Sequence, residues 1–296
     1  GELYSLNYSC LAAANWEPIE KKPLYHFYPG EKIFSLGTIG CNFHCTFCQN
    51  WTLARGNENQ CFEKISPAAV LALLEQAGGP ESVLGVAYTY NEPLVWYEFV
   101  LETSALLHER GYCNVLVTNG FINRDPLNEL LPYIDALNID LKGYSDAFYS
   151  KYCRGEREPV MRTIEAAIKK CHVEITCLLI PTLNDSPVEQ DQMTRWLAGL
   201  NPDLVLHYSR YFPQHKMNLP ATPLTVIEQS LSIARQHLRY VYPGNIDLPG
   251  ASDTHCPHCD NLLIARYGYR IKIIGLEQRH CNNCGNEVNI KMREKK

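Results

Sequence analysis

Short apolar runs alternate with longer stretches of helical periodicity through the middle of the chain. Runs rich in β-branched and apolar residues predict strands at 32–39, 82–90, 113–119, 135–141, 173–180 and 203–211. Between them, apolar positions recur at helical spacing over about 66–77, 94–110, 126–132, 157–170 and 187–199, several opened by Ser, Asn or Asp with Pro close behind. This strand–helix alternation predicts an α/β fold of parallel strands with right-handed crossovers, and a partial (β/α)6 barrel is its economical closure. Functional residues then belong at the C-terminal strand ends.

Two outlying regions do not follow this period. Residues 1–31 read as an irregular lead-in, 32–241 as the barrel, 242–255 as a Pro/Gly linker and 256–296 as a small separate module. In that module "CPHCDN" and "CNNCGN" place Cys256, Cys259, Cys281 and Cys284 as CxxC-x21-CxxC around the two-stranded pattern "LLIARYGYRIKII". Four thiolates on two knuckles satisfy one tetrahedral ion, which predicts a rubredoxin-like or zinc-ribbon module. Zinc is the expected ion, mononuclear iron the second reading and an auxiliary cluster the third.

Composition narrows the partners. With 296 residues, 46% of them hydrophobic, the chain can bury a large core. A net charge of -5 and a pI near 6.1 give no global basic footprint, so nucleic acid is disfavoured against a small molecule or a protein. No apolar run is long enough to span a bilayer, and "GELYSLNYSC" lacks the features of a secretory leader. Of 13 cysteines, seven fall in tight metal-type groups, which predicts a reducing compartment, the cytoplasm. Cys10, Cys61, Cys113, Cys153, Cys171 and Cys177 show no partner pattern, though Cys153 follows the fourth strand and could face a site there.

The segment "GTIGCNFHCTFCQNW" (37–51) follows the first predicted strand and carries Cys41, Cys45 and Cys48 as CxxxCxxC. Three thiols are one too few for a closed zinc site, and His44, directly beside Cys45, would have to fold back to complete one. A [4Fe-4S] cluster held by three cysteinates instead leaves one iron open to an external amino and carboxylate chelate. Further along, Glu92 in "YNEPLVW" and Asn119 in "VLVTNGF" are polar residues that follow apolar strands. Either could be a plain helix start or turn, or a cofactor contact. Asp140 and Lys142 alternate within the apolar strand "NIDLKGY" and so share a face, as an ion pair or as a binding pair. His207, Arg210 and His215 lie along and after the sixth strand.

CxxxCxxC directly after a first strand resembles the signature of the radical S-adenosylmethionine superfamily. Together with "LYSLNY", "EPIEKKPLYHFYPG", "YTYNEPLVWYEFV", "VLVTNG", "NIDLKGY", "LLIPTLND" and "HYSRYFP", it makes almost the whole chain similar to the radical enzyme of the AmmeMemoRadiSam system. That group is itself similar to pyruvate formate-lyase activating enzymes. The resemblance implies a radical-SAM barrel, a [4Fe-4S] cluster on Cys41, Cys45 and Cys48, and S-adenosyl-L-methionine on the open iron. It implies Phe47 beside the adenine, Glu92 near the amino group, Asn119 on ribose or carboxylate, Asp140 and Lys142 lining the site with Lys142 on the carboxylate, and His215 on the cofactor. The implied reaction is reductive cleavage to a 5′-deoxyadenosyl radical that abstracts hydrogen from a small-molecule or peptide substrate. It needs a one-electron reductant such as a flavodoxin or ferredoxin. A glycyl-radical activase acting on a partner protein is the alternative, and a non-catalytic metal-held scaffold a third reading that leaves the open three-thiol loop unexplained.

Overall fold

The computed structural model describes residues 5–246 and 248–293, and the chain forms two compact units. The first consists of the described residues of 1–17, 32–173 and 213–218, the second of those of 18–31, 174–212 and 219–296.

In the first unit the strands β1 (Ala13–Pro18), β2 (Lys32–Gly37), β3 (Gly85–Tyr88), β4 (Cys113–Thr118) and β5 (Ala136–Asp140) lie in the order β5-β4-β3-β2-β1. The pairs β2–β3, β3–β4 and β4–β5 are parallel. All of β3, and all of β2 except Lys32, is buried, as expected for parallel strands covered on both faces, and this is why they read as unbroken apolar runs. The crossovers are α1 (Pro67–Gln76), α2 (Tyr97–Glu109), α3 (Arg124–Leu130) and α4 (Arg157–Ala167). α1 starts where it does because the Ser66 hydroxyl accepts the Ala69 N–H at 3.3 Å and Pro67 fits the first turn. At the end of β2, a Cβ on Gly37 would lie 2.8 Å from the Thr89 carbonyl, so only glycine lets the cysteine loop leave the strand beside the 89–92 turn.

The lead-in is less irregular than its sequence suggests. Cys10–Leu11 pairs antiparallel with Glu63–Lys64, and β1 joins the sheet edge. Cys10 and Cys61, for which spacing offered no partner, form a disulfide across 51 residues, a contact that only the pairing of these two strands brings about.

In the second unit β6 (His172–Leu179), β7 (Val205–Arg210) and β8 (Tyr240–Gly244) are parallel neighbours, with α5 (Pro187–Leu200) and α6 (Leu224–Ala234) between them. β8 falls across the boundary between the expected barrel and linker. Pro243 is tolerated there because β8 is an edge strand, where a missing N–H forfeits no ladder bond. The last residues form an antiparallel ribbon of Thr254–His255, Leu262–Tyr267 and Arg270–Ile273, followed by Leu276–Glu277 paired with His280–Cys281. This ribbon is no free-standing module: Cys256, Leu263, Ile264, Cys281 and Val288 share one core with Tyr25, Tyr240 and Tyr242.

Polar groups inside that core are satisfied by one another. The Glu174 carboxylate, fully buried, accepts the N–H groups of Tyr25 (2.9 Å) and His26 (2.7 Å) and lies 2.7 Å from His207 Nε2. His207 is thereby a structural residue. Arg266 donates to the Tyr25 carbonyl (2.8 Å) and the Thr254 hydroxyl (2.6 Å) and covers the Tyr25 ring at 4.3 Å. We predict that Glu174→Gln, which turns an amide NH2 toward groups that themselves donate, lowers stability by about 2–4 kcal/mol in urea titrations. Wild-type stability in that variant would show the carboxylate to be dispensable.

Candidate functional site

Loop residues 38–50 carry the three cysteines between β2 and the helical turn Trp51–Ala54, and have no regular structure of their own. Their backbone is held from outside. His44 N–H donates to the Cys153 carbonyl (2.7 Å), Thr46 N–H to the Tyr152 carbonyl (2.9 Å), and Lys216 N–H to the Thr46 carbonyl (3.0 Å). The Arg55 guanidinium donates to the Phe43 carbonyl. Residues 149–153 form a single π-helical turn after β5, ending with Arg154 in the left-handed region at φ 55°. The next residue must be glycine, since a Cβ on Gly155 would fall 2.1 Å from the buried Phe43 ring.

Polar residues at the ends of β3 and β4 reach the same loop. Glu92, 2% exposed, accepts from Thr118 Oγ1 (2.7 Å), from the Asn119 N–H (2.7 Å) and from the Leu94 N–H (3.1 Å) as it caps the turn Pro93–Trp96. Burial raises this carboxyl to about 7, against the pull of the Asn119 N–H and the Thr118 hydroxyl. Asn119 Nδ2 donates to Asn42 Oδ1 at 2.7 Å and lies 3.8 Å from Cys41 Sγ, while Asn42 Nδ2 donates to the Phe121 carbonyl at 2.8 Å. Asn91 bonds Thr38 N–H (3.1 Å) and the Gly40 carbonyl (2.8 Å).

At the end of β5, Lys142 Nζ lies 2.8 Å from Asp140 Oδ2. Burial alone would lower Lys142, but the charges of Asp140 and Cys45 outweigh it and hold the ammonium well above its usual range. The Cys153 thiol, wholly buried, donates to the Cys45 sulfur; against burial, and helped by Lys142, this holds Cys45 below the usual thiol range. The same bond pushes Cys153 up. Burial raises Cys48 and, with the Glu92 charge, pushes Cys41 up to about 12, so both would shed a proton on metal binding.

Of the residues singled out in the sequence, Cys41, Cys45 and Cys48 lie in this loop, Asn119 bonds it with Glu92 behind, and the charges of Asp140 and Lys142 act on Cys45. Phe47 is buried against Phe148, ring centroids 5.8 Å apart, and His215 stacks on Trp51 at 5.2 Å and 20°. Spacing did not mark Asn42, Arg55 and Gly155 as supports of this loop, and marked Cys153 only as a residue that could face a site. The run "KYCRG" carried one hint, a cysteine and a glycine just past a strand end.

The four C-terminal sulfurs are gathered differently. Cys256, Cys259, Cys281 and Cys284 are the one group of three or more His, Cys, Asp or Glu among the described residues whose ligand atoms all lie within 4.8 Å. The Cys256–Cys284 and Cys259–Cys281 sulfurs are 3.6 Å apart, close to the ~3.8 Å edge of a tetrahedron with Zn–S bonds of about 2.3 Å. Amide donors surround the C-terminal sulfurs: Asn261 reaches Cys281 (3.6 Å), Asn283 reaches Cys259 (3.4 Å) and Asn286 reaches Cys284 (3.3 Å). Burial would raise Cys281, but the N–H groups of Cys284 and Asn283 prevail and hold it near 6, poised for a metal.

Comparison with known proteins agrees with this geometry. The family model described as the radical SAM superfamily matches residues 36–192, from the end of β2 into α5. An uncharacterized protein of Methanocaldococcus jannaschii is 38% identical over 98% of this chain and 87% of its own length. The pyruvate formate-lyase-activating enzyme of Clostridium pasteurianum is 26% identical over 50% of this chain and 61% of that protein. Among solved structures, Streptococcus suis SuiB bound to S-adenosylmethionine aligns with a TM-score of 0.57 at 12% identity, covering 79% of this chain and 53% of that one, a likeness of fold alone. A three-thiol loop at the end of the first long parallel strand, inside a matched region that spans more than half of the chain, leads to one conclusion: the chain is an enzyme of the radical SAM superfamily.

Proposed function

We propose that Cys41, Cys45 and Cys48 hold a [4Fe-4S] cluster and that S-adenosyl-L-methionine binds its open iron across the C-terminal strand ends of the first unit. The observation that carries this reading is the three-cysteine loop at the end of β2, inside the matched region 36–192 and bonded through its backbone to Tyr152, Cys153 and Lys216. When bound, cluster and cofactor together supply reductive cleavage to a 5′-deoxyadenosyl radical, which abstracts hydrogen from a small-molecule or peptide substrate. The likeness to an activating enzyme over half of the chain supports a second reading, that the hydrogen comes from a partner protein's glycine. The partial (β/α)6 barrel, relation to the AmmeMemoRadiSam group and a cytoplasmic setting belong to the same proposal. Among the described residues no helix is long and apolar enough to cross a membrane.

The chain's own residues orient and charge the site. Three of the four lone-pair positions of Glu92 are taken, which leaves one on Oε2 for the cofactor's ammonium. Lys142 would meet the cofactor carboxylate while Asp140 steadies it, and Asn119 would bond ribose or carboxylate. Phe47 and the His215–Trp51 stack would border the adenine. At the C-terminal site we propose zinc, held by Cys256, Cys259, Cys281 and Cys284 in a rubredoxin-like or zinc-ribbon arrangement; mononuclear iron is the second reading.

Three outcomes test this. Alanine at any one of Cys41, Cys45 or Cys48 should abolish both the cluster's charge-transfer absorbance and 5′-deoxyadenosine formation after anaerobic reconstitution; cofactor cleavage by the triple variant would refute the reading. Replacing Cys256 and Cys281 by Ser should remove one non-cluster metal ion per chain and lower the melting temperature, because the site shares its core with Tyr25 and Tyr242. Iron there in protein made with ample zinc would reverse the assignment.

The third concerns pH. The folded Glu92 carboxyl, at about 7, binds a proton that the unfolded chain, near 4.5, has already lost. In cofactor-free protein this group's contribution to stability is therefore fullest below about pH 4.5 and declines as pH rises to about 7, by about 3 kcal/mol in all. Glu92→Gln should remove that share of the slope in urea titrations between pH 5 and 8. An unchanged slope would show that Glu92 is charged without the cofactor.

A further inference from the structure

Large apolar side chains left in solvent are few, and they gather in one place. Of the 12 exposed large hydrophobic side chains among the described residues, four fall within eight positions of the C-terminal ribbon: Tyr267, Tyr269, Ile273 and Ile274, each 40–70% exposed. Tyr267 and Ile273 end the hairpin strands Leu262–Tyr267 and Arg270–Ile273, Tyr269 lies in the two-residue turn between them, and Ile274 follows the second strand. Charge is uneven there as well. Residues 261–275 include Arg266, Arg270 and Lys272 and no acid; the nearest acids, Asp260 and Glu277, lie outside the hairpin, and Asp260 stands 3.5 Å from His255. Arg270 and Lys272 are exposed and enter no ion pair among the described residues. Lys21 Nζ adds a third cation, 5.5 Å from the centre of the Tyr269 ring.

The strand among these groups has an open edge. Arg270–Ile273 is the last strand of its three-stranded sheet. In a hairpin closed by two residues the flanking pair, here Tyr267 and Arg270, exchanges both ladder bonds, and every second pair after it does so again. Lys272 therefore bonds inward to Ala265, and the Ile274 N–H, 2.8 Å from the Leu263 carbonyl, continues the same alternation. Ile271 and Ile273 turn their N–H and carbonyl groups outward, where no partner meets them among the described residues. The Ile271 side chain packs on the core and anchors the strand. Charge alone would keep other strands away from such an edge. Two exposed isoleucines and two exposed tyrosines beside it do the opposite, and are what an added strand would cover.

We propose that the Arg270–Ile273 edge takes up an extended acidic segment of a partner protein as an added β-strand. Bonds to the backbone of Ile271 and Ile273 supply affinity, the exposed tyrosines and isoleucines supply apolar cover, and Arg270, Lys272 and Lys21 select an acidic sequence. A second copy of this chain is the poorer occupant, because antiparallel pairing of two such edges sets Arg270 and Lys272 opposite their own kind. A single-stranded nucleic acid could stack on the tyrosines, but it leaves the outward backbone groups and both isoleucines unmet. The strand pairing is independent of the cluster reading above.

The test uses the full chain with its metal bound and two probes, short peptides of alternating Val and Glu or of alternating Val and Lys. Saturating acidic peptide should slow NMR-detected exchange of the outward amides of Ile271 and Ile273 about tenfold or more, and change the inward amide of Lys272 little. At low salt the Val–Glu peptide should bind about tenfold or more tighter than the Val–Lys peptide, and weaken as salt is added. Ile273→Pro deletes one outward N–H, leaves the inner ladder bonds in place and should abolish binding. Arg270→Glu with Lys272→Glu should reverse the preference between the peptides; if I273P loses metal or melts early, this variant and the exchange data decide. Amides 271 and 273 left unprotected, equal binding of the two peptides, or an unchanged preference in the charge variant overturns the proposal. So does dimerisation without peptide, read by sedimentation, that R270E/K272E strengthens or I273P abolishes. A single-stranded oligonucleotide that binds tighter than the acidic peptide and protects neither amide also overturns it.

Discussion

Loop residues 38–50 carry three cysteines and form no strand or helix of their own, so most of their N–H and carbonyl groups must be met from elsewhere. In this protein they are met by the π-helical turn at 149–153, by Lys216 and by the side chains of Arg55 and Asn42. Much of the first unit follows from that demand. Gly155 is small to admit Phe43, Gly37 is small to let the loop leave its strand, and Asn91 and Asn119 spend their amides on the loop and its neighbours.

The same supports set the electrostatics. Each residue that holds the loop from the site side also adjusts charge: Glu92 ties the ends of β3 and β4 and sits near neutrality, while Lys142 and the Cys153 thiol favour a charged Cys45. Support and tuning are therefore hard to separate by mutation. A change at Cys153 alters one hydrogen bond to a sulfur, whereas a change at Gly155 moves the loop itself.

The six expected strands were legible because parallel strands buried on both faces leave unbroken apolar runs, and the cysteine groups because their short spacings are those a metal site would need. What escaped reading had a common cause: its meaning is set by a partner distant in sequence. "YVYPG" is a strand because β7 lies beside it, although Pro243 and Gly244 alone read as a turn. Cys153 looked unattached because its partner, Cys45, lies far back in the chain. Cys10 and Cys61 are neighbours only once two very short strands have paired. His207 sits in a strand like a site residue, and the buried Glu174 beside it shows it to be structural.

The shared core of the second unit bears on the order in which the protein can be made. Tyr25 and His26 are synthesised well ahead of their partners: the Tyr25 carbonyl accepts from Arg266, 241 residues later, and His26 bonds the Asn289 carbonyl, 263 residues later, while Tyr28 and His26 bond Lys291. At about 5–20 residues per second these aromatic residues wait on the order of ten seconds or more for that cover, so this part of the second unit closes only once the ribbon, with its four thiols, has emerged.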